Sequence, residues 1–232
     1  GFIMLKNTQI NKLAIQKIAK ALGELNEKVV YVGGAIVSLY VDDLSAEDVR
    51  PTKDVDITLQ IVSMGELENL RELLNQKGFK QSSEDEVMCR FRFEDVKVDV
   101  MSTHPVGWAP ANEWFKLGFD QAIFYSLEEA DIKILPLPYF LATKFSAFND
   151  RGGNDPRFSH DFEDIVYLLN YIKDLNSVLH KIDSNLKEYL KQEFENILND
   201  KVMQEAILCN LFHEEQFTRF NRIIKILERF IK

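Results

Sequence analysis

Two stretches decide the fold: "VVYVGGAIVSLYV" (29–41) and "RPTKDVDITLQI" (50–61). The first is a β-branched run broken by Gly33 and Gly34 and resumed as an apolar segment. It reads as strand, tight turn, helix, because glycine permits the sharp turn. In the second, Val55, Ile57, Leu59 and Ile61 alternate with Asp54, Asp56 and Thr58. One strand face is therefore apolar and the other carries both carboxylates, with their Cα atoms ~6.6 Å apart. An isolated charge in an apolar interior costs several kcal/mol, so something must compensate Asp54 and Asp56.

Working outward, the apolar positions between 10 and 25 recur at three- and four-residue spacing and predict an amphipathic helix. "VDDLSAEDVRPT" (41–52) is polar, ends near Pro51 and reads as a surface loop. "SMGE" (63–66) starts a further helix as a capping box, and Gly78 stops it. "VMCRFRFEDVKVDVMS" (87–102) reads as a hairpin turning at Glu94 and Asp95. Its second strand sends Val96, Val98 and Val100 inward and leaves Lys97 and Asp99 on the opposite face, so Asp99 is a third strand carboxylate. Asp95, its rival, falls at the turn.

"QAIFYSL" (121–127) and "IKIL" (132–135) form a last strand pair, and "PLPYFLATKFSAF" (136–148) opens a helix with Pro138 in its first turn. "NDRGGNDPRFSHD" (149–161) is the most loop-like part of the chain. Beyond it, segments 161–172, 185–198 and 214–231 carry apolar faces at helical spacing and predict a small bundle. The expected architecture is α+β: a mixed sheet flanked by helices over 1–135, then a helical region over 136–232.

Composition bounds the function. With 46% hydrophobic and 28% charged residues the chain is that of a globular protein. A net charge of -9 argues against a broad footprint on nucleic acid, although a local basic groove stays open. Cys89 and Cys209 are the only cysteines and lack ligand spacing, so both read as reduced, buried thiols. No apolar stretch reaches the ~18–20 residues of a membrane helix, and the N-terminus lacks a signal-peptide plan, so the expected setting is cytoplasmic with no membrane partner. Gly1 in place of Met reads as the remnant of a cleaved tag. A Walker-type loop and a G-x-G-x-x-G are both absent from the sequence. His104, His160, His180 and His213 show no metal-ligand or nucleophile signature and take no role. Phe91, Phe93, Phe115, Phe119 and Phe124 read as core.

Asp54 and Asp56, joined by a third carboxylate on a neighbouring strand, suit divalent metal: hard oxygen donors can hold two Mg²⁺ ions ~3.5–4 Å apart and align a hydroxyl with a phosphate. The Gly-Gly turn at a helix start adds backbone N–H groups and the positive end of a helix dipole for a triphosphate. An Asp-x-Asp alone is a weak sign; its order after Gly-Gly and before a strand Asp supplies the specificity. In that order, "VGGAIVSLY", "RPTKDVDI" and "VKVDVM" resemble the nucleotidyltransferase fold shared with polymerase β, over about 28–101. The R-x-T-x-D-x-D form, with "LATKFSAFNDR" and "HDFEDIVYLL", is similar to bacterial AbiEii/AbiGii-type nucleotidyltransferases, the toxin halves of abortive-infection systems, to about residue 170.

That resemblance implies an enzyme that moves an NMP from an NTP to a hydroxyl acceptor on tRNA, protein or a small molecule, with Mg²⁺ or Mn²⁺ and a possible cognate antitoxin. It implies Gly33 and Gly34 as the triphosphate turn, Asp54, Asp56 and Asp99 as metal ligands, and Asp99 as the group that activates the acceptor. It also implies Lys144 against the nucleotide phosphates, with Asp161 and Asp164 as the acidic motif of the helical part. The spacing from Gly34 to Asp54 exceeds the family's, which implies an inserted loop at about 41–49. A lysine on an amphipathic helix is more often a solvated face, and Asp161 and Asp164 also suit a helix N-terminus by charge. Arg50 and Arg151 read as phosphate contacts or surface charges. The alternatives are a non-catalytic binding protein that kept the fold and an aminoglycoside-type nucleotidyltransferase.

Overall fold

A computed structural model describes residues 5–52, 54–151 and 155–232. The chain divides into two compact units, one comprising 1–39 and 47–136, the other 40–46 and 137–232.

The first unit is built on a six-stranded sheet: β1 Val30–Val32, β2 Asp54–Leu59, β3 Arg90–Phe93, β4 Val96–Ser102, β5 Ile123–Ser126 and β6 Asp131–Ile134. The spatial order is β3-β4-β2-β1-β6-β5. β2 runs parallel to β4 and β1 parallel to β6, while the β1–β2, β3–β4 and β5–β6 pairs are antiparallel, so the sheet is mixed. The alternation seen in the sequence sets its faces. Val55, Ile57, Val98, Val100 and Phe91 are buried, and the residues between them carry the charges.

The helices of this unit are α1 Lys6–Leu22, α2 Met64–Gln76 and α3 Glu113–Phe119. α1 buries Ile15, Ile18 and Leu22. Its polar residues reach the turns of two hairpins: Lys17 pairs with Glu94 and Asp95, and Gln16 Oε1 accepts from the Glu129 amide. α2 is capped as its sequence predicts, with Ser63 Oγ accepting from the Glu66 amide, and ends before Gly78 at φ +93°. α3 has no counterpart in the sequence reading; it is short and packs through Trp114 and Phe115. The expected helix after Gly33 is a 3₁₀ helix, Gly34–Tyr40, with Ala35, Ile36, Val37 and Leu39 buried.

α1 begins four residues before the expected start, and the reason lies elsewhere in the chain. Leu5, at its N-cap, offers no side-chain acceptor, and the carboxylate of Asp48 takes the place of one. Its oxygens accept from the Asn7 and Thr8 amides at 2.7 and 3.0 Å and from the Thr8 hydroxyl at 2.9 Å. Burial pushes the Asp48 carboxyl up, but these donors outweigh it and hold it below the ordinary range. Asp48→Ala therefore destabilises this unit by about 1–2 kcal/mol, the usual worth of an N-cap acceptor. Urea unfolding checks this; an unchanged midpoint would remove Asp48 from the account.

The second unit is helical: α4 Leu137–Asp150, α5 His160–Tyr171, α6 Leu175–His180, α7 Ser184–Leu198, α8 Lys201–Cys209 and α9 Gln216–Ile231. Phe140, Phe145, Phe162, Phe194, Ile223 and Leu227 are fully buried in it. Ser159, Asp183 and Asp200 cap α5, α7 and α8 with side-chain acceptors. Segment 40–46 belongs here: Tyr40 stacks on Phe140, Asp43 pairs with Arg219 at 3.1 Å, and Asp42 accepts from the Lys173 amide. The inserted loop expected at 41–49 is therefore tied down by three aspartates rather than lying free on the surface. Cys209 is exposed, contrary to the expectation that both thiols are buried, because it lies near the C-terminus of α8, on the side away from Met203, Ala206 and Ile207. Cys89 is buried, and burial pushes its thiol up to about 11. Gly152 and Gly153 of the glycine-rich loop lie outside the described residues, as does Lys53 of the R-x-T-x-D-x-D segment.

Candidate active site

The sheet's register brings the three strand aspartates together. Asp56 on β2 is the direct partner of Asp99 on the parallel neighbour β4, and Val32 on β1 is the partner of Asp56 on the other side. Cross-strand partners share a face. Asp54, two residues from Asp56, shares it too. Val32 leads directly into Gly33, whose φ is +77°. A Cβ on Gly33 would stand 1.9 Å from Asp56 Oδ2 and 2.6 Å from its Cγ, so the carboxylate of Asp56 occupies the space that a side chain would take. Gly33 is thus required twice, by its backbone and by the close approach of a site carboxylate. Gly34 opens the 3₁₀ helix that follows.

Gly33→Ala should cost at least about 1–2 kcal/mol from the left-handed backbone alone and also push Asp56 out of line. Any activity that depends on Asp56 should fall far more than the melting temperature does. Full activity in a folded Gly33→Ala protein would count against the turn.

The residue that the sequence reading missed is Arg90. It is the direct partner of Asp99 across the β3–β4 hairpin. Its Nε donates to Asp99 Oδ1 at 2.8 Å and its Nη2 to Asp99 Oδ2 at 3.0 Å, a bidentate pair, while Nη2 also reaches Asp54 Oδ2 at 2.9 Å. Asp99 is 12% exposed and Asp54 34%. Burial raises the Asp54 carboxyl; Arg90 pulls it back, the charge of Asp99 pushes it up again, and it ends above the ordinary range. Arg90 is held firmly protonated, chiefly by its bond to Asp99. The signal for Arg90 lies in the hairpin itself. A turn at Glu94 and Asp95 pairs Phe93 with Val96, and counting back in register pairs Arg90 with Asp99.

Asp54, Asp56 and Asp99 are the hard oxygen donors that Mg²⁺ and Mn²⁺ take, and Gly33 leaves room for one of them, so these residues fit a divalent ion. Among the described residues no group of three or more acidic, His or Cys side chains stands gathered as a finished coordination set. The cation between Asp54 and Asp99 is the Arg90 guanidinium. A concavity of about 410 Å³ opens beside Asp54, lined by Thr52, Ala35, Lys17, Lys97 and the α1 residues Ile10 and Leu13.

The other expected site residues belong to the helical unit and form a cluster of their own. Lys144 on α4 is 6% exposed rather than on a solvated face. Its Nζ lies 2.8 Å from Asp164 Oδ2 and 3.7 Å from Asp161 Oδ1, both on the first turns of α5. Arg151 Nη1 stands 3.5 Å from Asp161 Oδ2.

The solved structures to which the chain is similar include an antigenic nucleotidyltransferase-like protein from Paracoccidioides brasiliensis, at 17% identity and TM-score 0.52, covering 87% of this chain and 93% of that one. The antibiotic-resistance factor ANT(2'')-Ia matches at 13% identity and TM-score 0.46, covering 82% and 96%. JHP933 from Helicobacter pylori matches at 13% and 0.41, covering 97% and 96%. No curated protein matches. The first of these likenesses shows the fold, and the chemistry rests on the family. A family model for the nucleotidyl transferase AbiEii toxin of type IV toxin–antitoxin systems matches residues 19–229, so the chain belongs to the AbiEii family and is a nucleotidyltransferase.

Proposed function

We propose that this protein moves a nucleoside monophosphate from an NTP to a hydroxyl acceptor, releasing pyrophosphate, as the toxin of a pair whose partner is a cognate antitoxin in the cytoplasm. The observation that carries this reading is the row Val32, Asp56, Asp99 across three adjacent strands, with Asp54 on the same face and Gly33 pressed against Asp56. On this reading Asp54, Asp56 and Asp99 hold Mg²⁺ or Mn²⁺, which when bound neutralises charge on the transferring phosphoryl group. Asp99 orients the acceptor hydroxyl and takes its proton, while Gly33 and Gly34 present backbone N–H groups to the triphosphate.

Purified protein incubated with each labelled NTP, Mg²⁺ and a cell extract tests the reading. Label should pass from one NTP into an RNA, protein or small-molecule fraction, and the fraction names the acceptor class. Absence of transfer from all four NTPs, in a preparation shown to bind one of them, would overturn it.

A further inference from the structure

Three of the four carboxylate oxygens of Asp54 and Asp99 are already engaged. Arg90 takes both oxygens of Asp99 and one of Asp54, at 2.8–3.0 Å. A guanidinium at this place compensates the charge that two close carboxylates build up on a strand face. Its Nη2 also bridges the two carboxylates, Asp54 and Asp99. A dication entering here meets a fixed positive charge a few ångströms away and must share oxygens that already accept from it.

We propose that Arg90 is a positioning residue that acts as the site's own counter-cation and competes with divalent metal for Asp54 and Asp99; this rests on the reading that those carboxylates hold the metal. In the metal-free protein Arg90 keeps the two carboxylates aligned across the β2–β4 pair. When metal binds, Arg90 gives up its single bond to Asp54, the weaker attachment, before its bidentate pair with Asp99. Asp54 is the more exposed of the two acids, so its free side is open to an incoming ion. The displaced guanidinium has room at hand, because Arg90 also lines a concavity of about 460 Å³ with Arg71, Ser82, Ser83, Met88 and Trp108. Ser82 and Ser83 offer hydroxyl acceptors there to a turned arginine. Metal loading is therefore an exchange of one cation for another, and Arg90 sets the concentration at which it happens.

Mn²⁺ titrated into the full chain and followed by electron paramagnetic resonance tests this without reference to activity. Arg90→Met, which removes the charge and keeps the length, should bind Mn²⁺ at least about tenfold more tightly than the parent. Arg90→Lys, which keeps the charge, should stay within about threefold of it. Arg90→Gln, read beside circular dichroism, serves if Arg90→Met does not fold, and it should tighten binding in the same direction. Affinity unchanged or weaker in a folded, uncharged variant would overturn the competition. Asp54→Asn separates the two readings. If it weakens Mn²⁺ binding but loss of the Arg90 charge does not tighten it, only the role of Arg90 falls. If it leaves Mn²⁺ binding unchanged, the metal reading falls as well.

Discussion

Asp56→Asn yields a folded protein whose transfer rate is lower by on the order of a thousandfold, the worth of several kcal/mol of lost charge stabilisation in the transition state. Asparagine keeps the shape that packs against Gly33, where a bulkier residue would not fit. It also removes one of three neighbouring negative charges, so the melting temperature should hold or rise slightly. Asp99→Asn should look different. It loses the same chemistry but also breaks the bidentate pair with Arg90, a largely buried cation that then lacks its main partner, so stability falls together with activity. Side-by-side calorimetry and a labelled-NTP assay check both. An Asp56→Asn protein with near-parent turnover would sink the assignment of the strand aspartates.

The second large effect is on folding. Lys144, Asp161 and Asp164 are each at most 7% exposed at the side chain, and Lys144 touches both acids. Lys144→Met leaves Asp164 buried without its nearest cation, which typically costs about 3–5 kcal/mol. For a unit of this size the melting temperature should drop by roughly 10 °C or more. Lys144→Arg should recover part of the loss, and Lys144→Met combined with Asp164→Leu should recover much of it, because an apolar pair has no charge to strand. Arg151 stays beside Asp161 in every case and limits the damage to Asp164. A Lys144→Met protein melting within a degree or two of the parent would show that the cluster carries little folding weight.

How much of this could be seen in the sequence follows from which interactions are local. Strand alternation in 54–61 and 96–100, the capping serine at 63 and the turn at Glu94 are each set by residues within a few positions of one another, and all were legible. The placement of Asp54, Asp56 and Asp99 on the polar faces of their strands was legible from each strand's two-residue period, and the pairing of β2 with β4 sets Asp56 opposite Asp99. Arg90 was not, although the hairpin fixes its register, because its meaning depends on a third strand that lies 36 residues away in sequence. The start of α1 was hidden for the same reason: its cap, Asp48, comes from 40 residues downstream. Lys144 reads as a solvated lysine on its own helix, and only the acids of α5 show it to be a buried partner.

The loop that carries those aspartates has a consequence for anyone dividing this protein. Residues 40–46 are grouped with the helices although sheet residues stand on either side of them in the sequence, so the chain changes unit three times. A stop codon after residue 136 would not release a clean amino-terminal half. It would leave Tyr40 without the ring of Phe140, Asp43 without the guanidinium of Arg219, and Asp42 without the Lys173 amide, so that an apolar and acidic strip would stand in water. The gene cannot be dissected at a single junction. A helical fragment made alone would have to be given 40–46 on a linker, and a sheet fragment would have to have it replaced by a short polar bridge between Leu39 and Glu47.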